Sequence, residues 1–366
     1  MSLPGCARPR PGAPFRMTAA SLTRRDTLGL LLGAPLAAAG KDAPVFIQST
    51  RIAKAAEYSA KRKGLALLVR QHGKLLHESY PNGAKSGETR RIYSGTKAFW
   101  GLAMLAAVED GILSLDEPAA AVIHEWRGKA DKEKITLEQL MDFTCGLERC
   151  LRIHEDGLEN RDRMAIGRPV LAAPGKRFIY GPSAMQVAHQ MLKRRLAGRW
   201  RNETPARYLE RRVLRPLGLG PQRYIPDAAG NPLLASGFMM TPAQWARMGE
   251  VILAKGAPVL KKPASWELAT EGSAANPAYS FGFWNNRKAA DKNAREFDIE
   301  DMLEVDWDKQ GWTRACVCRD APPDLVACIG SGYQRLFAVP SMSLVIVRQG
   351  TNARFSDGDF LRLLLG

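Results

Sequence analysis

The sequence lacks the patterns that commit a chain to several common chemistries. Across 366 residues there is no C-x-x-C and no H-E-x-x-H, and the five histidines are dispersed. A dedicated metal site is therefore not expected, and no cofactor is implied. There is no G-x-S-x-G elbow, and no histidine stands in a context that would complete a Ser-His-Asp arrangement. No internal repeat or low-complexity block follows residue 40, which excludes solenoids and arrays. No apolar run is long enough to span a bilayer. The basic residues are scattered and lack interleaved aromatics, so a nucleic-acid groove is not expected.

Cysteine is sparse too. Past residue 40 there are five: Cys145, Cys150, Cys316, Cys318 and Cys328. An odd count leaves at least one thiol free. Cys316 and Cys328 flank a turn expected at Asp320–Asp324, and they would face each other if the flanks form a hairpin.

What is present begins with an address. In SLTRRDTLGLLLGAPLAAAG, the paired Arg24 and Arg25 precede an uncharged run, Thr27 to Ala39, closed by small residues. This reads as a twin-arginine (Tat) signal peptide over residues 1–40 and predicts an exported, periplasmic protein. No cysteine follows the run, so no lipid anchor is expected, and nothing past residue 40 predicts a transmembrane segment. The formal charge of +16 falls to +12 without those forty residues. A surface of that sign favours anionic partners, although scattered lysine and arginine also serve solubility alone.

Past the signal, residues 41–366 read as one domain. A helix is expected over 48–61 and a hairpin over 64–80, turning at His72-Gly73. Ser94 opens a helix whose body, Ala98 to Val108, is apolar all round, the mark of a buried central helix. Helices follow over 134–147, 183–199, 204–214 and 241–253. Strand-like segments occupy 278–284, 313–319, 325–330, 335–340 and 343–349, and a helix closes the chain over 359–365. Segment 285–310 is charged and irregular, an insertion. The pattern predicts an α+β fold: an antiparallel sheet built from both chain ends, flanked by helices, with a helical lobe inserted over roughly 110–255.

The chemistry centres on IYSGTKAFWG, where Ser94 is the one serine followed three residues later by lysine. On a helix, positions i and i+3 share a face. The helix N-terminus stabilises a developing alkoxide and lowers a nearby ammonium's pKa, and burial lowers it further. A neutral Lys97 could then take the Ser94 proton, which serine needs because its hydroxyl is a weak nucleophile. A capping serine beside a solvated lysine is the plain alternative for an isolated S-x-x-K.

The surroundings carry more. SGTKAFWG, GILSLDEPAA, ITLEQLMDFTCGL, PGKRFIYGPS and VLRPLGLG occur in that order. Together they resemble the serine β-lactamase and penicillin-binding-protein superfamily, in the class C-like branch of esterases, D-amino-acid peptidases and 6-aminohexanoate-oligomer hydrolases. The resemblance spans roughly residues 45–350 and implies a β-lactamase-like fold. It also implies catalysis by Ser94, Lys97 and Tyr180. Ser94 would be the acylated nucleophile, Lys97 would share its proton, and Tyr180 would be base for acylation and acid for the leaving group. The N–H groups of Ser94 and Tyr333 would form the oxyanion hole. Gly330, Ser331 and Gly332 stand at the third motif.

Two departures bear on substrate. Tyr180-Gly181-Pro182 replaces the family's Tyr-Ser-Asn, so the orienting amide is gone. Gly330 replaces the cation that opens the third motif, which argues against an efficient β-lactamase unless Arg335 or Arg314 takes its place. Cys145 stands where the family has serine. The function implied is an exported serine hydrolase acting on a small-molecule or peptide ester or amide. A penicillin-interactive D-Ala-type peptidase or β-lactamase is the alternative, and a non-catalytic envelope protein on the same fold a second one.

Overall fold

The computed structural model describes residues 44–199, 203–222, 224–351 and 353–366. The expected signal peptide, residues 1–40, lies outside the described residues. The chain enters through helix α1 (Ser49–Lys61) and the hairpin β1 (Gly64–Gln71) and β2 (Lys74–Ser79), turning at His72-Gly73 as expected. Helix α2 (Thr96–Glu109) follows, and α3 (Leu137–Met141), α4 (Pro182–Arg199), α5 (Pro242–Leu253) and α6 (Pro263–Glu271) come after it. Strands β3 (Tyr279–Ser280) and β4 (Phe283–Asn285) return the chain to the sheet. A short helix α7 (Ile299–Glu304) precedes β5 (Val326–Gly330), β6 (Gln334–Val339), β7 (Leu344–Gly350) and the closing helix α8 (Asp357–Leu365).

The main sheet has seven strands in the order β2-β1-β7-β6-β5-β4-β3, each pairing antiparallel. Its centre joins the two ends of the chain: β1 pairs with β7 from Gly64 opposite Gly350 to Gln71 opposite Leu344. That closure is the expected one. Every residue of β7 is buried, because helices cover both faces of the sheet. Arg348 points to one face, where Nε donates to Ser59 Oγ of α1 (3.1 Å). Gln349 points to the other, donating to Met240 O just before α5 (2.9 Å).

Helix α2 is buried without a break from Thr96 to Ala107. Phe99, Trp100, Leu102 and Met104 are fully covered, and each such side chain contributes roughly 1.5–3 kcal/mol by leaving water. Ser94 thus sits just before, and Lys97 at the start of, a helix buried almost throughout.

Two local expectations fail for identifiable reasons. The helix expected over 134–147 is only Leu137–Met141, although its start has the full capping box between Thr136 and Gln139. Asp142 ends it by accepting from the Thr144 N–H (3.0 Å) and hydroxyl (2.6 Å), and Phe143 turns left-handed at φ 59°. Such short side-chain bonds compete with the helical ladder. The strand expected over 313–319 is only Ala315–Cys316, paired parallel with Arg295–Glu296, while Cys328 lies in β5 of the main sheet. The hairpin that would have faced Cys316 with Cys328 does not form. All five described cysteines are free and buried.

Candidate active site

Ser94 sits in a tight turn, Tyr93–Gly95, that feeds directly into α2. The residue before it, Tyr93, holds φ 44°, a left-handed conformation that a bulky side chain adopts only under strain. The turn leaves the Ser94 hydroxyl on the wall of a cavity of about 570 Å³, a volume typical of small-molecule sites.

Lys97, the second residue of α2, brings its amine to the same point. Its Nζ lies 2.8 Å from Ser94 Oγ and donates to Ala235 O at 2.9 Å. The residue is 2% exposed, and no acidic side chain occupies the first turn of α2 to hold a charge there. Burial accordingly pulls the amine down from 10.5 to about 7. The plain alternative of a solvated lysine is thereby removed.

Tyr180 closes the third side. Its ring lies 4.6 Å from Lys97 Nζ, measured to the centroid, and it packs edge-on to Phe143 at 5.0 Å. Burial raises the phenol well above its ordinary value; a hydrogen bond with Ser94 and the charge of Arg149 oppose the rise, and Glu300 adds to it. The phenol is therefore protonated at rest. Of the two groups expected to share the base role, Lys97 is the one able to accept a proton near neutrality.

The third motif approaches from the sheet. A side chain at Gly330 would overlap the Ile92 carbonyl, so glycine there lets β5 reach the turn that carries Ser94. Gly330, Ser331 and Gly332 all line the cavity. Tyr333 does not serve as expected. Its N–H donates to Glu300 Oε2 (3.0 Å), and the Gly332 N–H donates to the other oxygen, Oε1 (2.6 Å). Tyr333 takes φ 58° in this turn, and its N–H meets the carboxylate carried by α7. Ser331 is the member of the turn whose N–H keeps no partner among the described residues.

Arg335 is likewise not a substrate cation. It is 0% exposed, with Nε on Asp357 Oδ1 (2.7 Å) and Nη1 on Glu300 Oε2 (3.2 Å) and Gly330 O (3.0 Å). It braces the third motif from behind. Arg314 is exposed and does not line the cavity. Cys145 is buried away from the cavity, its thiol pushed up to about 12 by burial.

Four polar cavity residues have no counterpart in the sequence reading: Arg149, His154, Glu300 and Glu304. Burial, with Lys97 and Arg161 adding to it, lowers His154 to about 4, so its ring is neutral; Nδ1 lies 3.0 Å from Ser236 Oγ. Glu300 comes from the charged insertion, through α7. Only the adjacency of Arg149 to the CGL turn marked any of them in the sequence.

With this geometry in view, the comparisons are consistent. The model of the family described as Beta-lactamase matches residues 50–350. No curated protein sequence matches this one. Among solved structures, a penicillin-binding protein homolog from Caulobacter crescentus is 16% identical, with a TM-score of 0.58, covering 87% of this chain and 97% of its own. A family VIII carboxylesterase is 15% identical at a TM-score of 0.60, with 87% and 97% covered. A protein assigned as a 6-aminohexanoate-dimer hydrolase from Bacillus anthracis is 18% identical at 0.61, with 81% and 76% covered. At these identities the structural likeness is one of fold.

Proposed function

Because the chain belongs to the beta-lactamase family, we propose that it is a serine hydrolase cleaving an ester or amide bond through an acyl-enzyme on Ser94. The observation that carries this reading is the buried Lys97 amine, 2.8 Å from Ser94 Oγ and poised near pH 7. As Oγ attacks the carbonyl carbon, its proton passes to the Lys97 lone pair. The tetrahedral oxyanion is met by the N–H groups of Ser94 and Ser331, the latter in place of Tyr333. When the intermediate collapses, the leaving group takes the Tyr180 phenolic proton, and the Lys97 ammonium restores it. Water then attacks the acyl carbon, giving one proton back to Lys97, and Ser94 leaves as alkoxide to be reprotonated with release of the acid.

A panel of 4-nitrophenyl esters and 4-nitroanilides tests the reading. Wild-type protein turns over at least one of them and Ser94→Ala none; turnover of the same ester by Ser94→Ala at the wild-type rate contradicts it. A non-catalytic envelope protein predicts no turnover by either. The penicillin-interactive alternative has lost Arg335 as its substitute cation, since that side chain is sealed behind the motif. Durable, Ser94-dependent labelling by fluorescent penicillin would reinstate it. Export through the Tat route is part of the proposal, supported by Arg24, Arg25 and the run after them. The N-terminus of the protein recovered from the producing cells tests it.

A further inference from the structure

Arg149 is half-buried, whereas the three fully buried arginines among the described residues all have their guanidinium groups engaged. Arg335 holds Asp357 and Glu300. Arg348 reaches Ser59 and two backbone carbonyls, and Arg161 reaches three carbonyls. Arg70 and Arg195 each leave Nε without a partner, yet each holds a carboxylate, Glu250 and Glu117. Arg149 differs from all of these. Its Nε is buried and unpartnered, and among the described residues it makes no ion pair.

Its place is fixed by a departure already noted. A side chain at Gly181 would come within 2.5 Å of Arg149 Cα and 2.7 Å of Arg149 O. Glycine in the Tyr180-Gly181-Pro182 segment thus admits the Arg149 backbone directly beside the catalytic tyrosine. At the same segment, Pro182 has removed the amide that would otherwise orient a substrate. A donor group is lost from one side of the site, and a planar fork of donors is brought in next to it.

We propose that Arg149 is the specificity-determining residue of this site and binds a carboxylate carried by the substrate. A guanidinium meets a carboxylate through two parallel, charge-assisted hydrogen bonds, a geometry no neutral group reproduces. An unpaired buried donor is costly until an acceptor arrives. Neither Glu300, which is held by Gly332, Tyr333 and Arg335, nor Glu304, the other carboxylate lining the cavity, pairs with Arg149 among the described residues. The substrate class is therefore an ester or amide bearing a carboxylate near the scissile bond. The assignment rests on the serine-hydrolase reading for what happens to the substrate, but not for its binding.

Two matched ester pairs test it. Mono-4-nitrophenyl glutarate against 4-nitrophenyl butyrate places the charge on the acyl side. 4-Acetoxybenzoate against phenyl acetate places it on the leaving side. In at least one pair, wild type should favour the charged ester, and Arg149→Gln should lower that ratio of kcat/KM by about 10- to 100-fold. Arg149→Lys should recover part of it, which guards against a merely misfolded variant. No preference in either pair, or a preference that survives Arg149→Gln, overturns the proposal. Calorimetric binding of glutarate and 4-hydroxybenzoate to Ser94→Ala separates the two claims. Binding lost in Ser94→Ala/Arg149→Gln supports the anion site even where wild type hydrolyses no ester and the hydrolase reading fails. Where wild type hydrolyses none of the four esters, binding that is absent, or unaffected by Arg149→Gln, overturns the proposal as well.

Discussion

Glu300 and Tyr333 are joined by a 3.0 Å hydrogen bond from the tyrosine N–H to Oε2, and the same carboxylate takes the Gly332 N–H. One acidic side chain from the insertion therefore sets the third-motif turn, and Arg335 holds that side chain in place. The turn in front, with Ser331, is only as well ordered as this contact behind it.

Glu300→Ala should consequently leave two N–H groups to water and Arg335 short of a counter-ion. The expected loss of stability is about 1–3 kcal/mol, read from urea unfolding. Activity should fall with it, through kcat more than KM, because the proposed oxyanion donor in the turn, the Ser331 N–H, loses its position. Unchanged stability and kcat would mean that the turn does not need the carboxylate.

Lys97 predicts a pH profile with a definite sign. As the proposed base, Lys97 must be neutral, so kcat/KM should rise with pH through about 7, the value to which burial brings the amine. Stability follows the same direction. The unfolded chain holds the lysine proton up to 10.5 while the folded protein gives it up near 7. The contribution is thus full above 10.5 and lost as pH falls toward 7. Lys97→Met should flatten that slope and raise Tm at pH 7. It should also cut kcat/KM by about 10²- to 10⁴-fold, the usual worth of a general base. A profile with no limb near 7 would contradict the assignment.

Tyr180→Phe keeps the ring against Phe143 and removes only the hydroxyl. With the phenol as acid and proton relay in the proposed mechanism, kcat should drop by about 10²- to 10⁴-fold while Tm stays close to wild type. The loss should be smaller for 4-nitrophenyl esters than for anilides, because nitrophenolate leaves without a proton. Equal losses for the two leaving groups would remove Tyr180 from the leaving-group step.

The parts of the site carried by one helix were readable in advance. Ser94 and Lys97 are three residues apart, and helical geometry alone brings them together. The apolar run after Lys97 already implied the burial that sets its pKa. Tyr180 needed the ordered landmarks, since nothing local distinguishes it from any half-buried tyrosine. The Tyr333 N–H is taken by a carboxylate from a segment more than thirty residues away, an engagement that no local pattern in the sequence marks. The same distance in sequence hid the engagement of Arg335 by Asp357 and Glu300. Cys316 and Cys328 were paired on an imagined hairpin that Asn286 prevents. Its side chain accepts from the N–H groups of Val317 and Cys318 (2.9 and 3.1 Å), turning the chain away after Cys316.

Reaction with a fluorophosphonate, followed by intact-mass measurement and peptide mapping, tests the central claim most directly. Wild-type protein should gain one phosphonyl group, on the peptide containing Ser94, and Ser94→Ala should gain none. A wild type that does not label, or a Ser94→Ala protein that labels equally, would contradict the account.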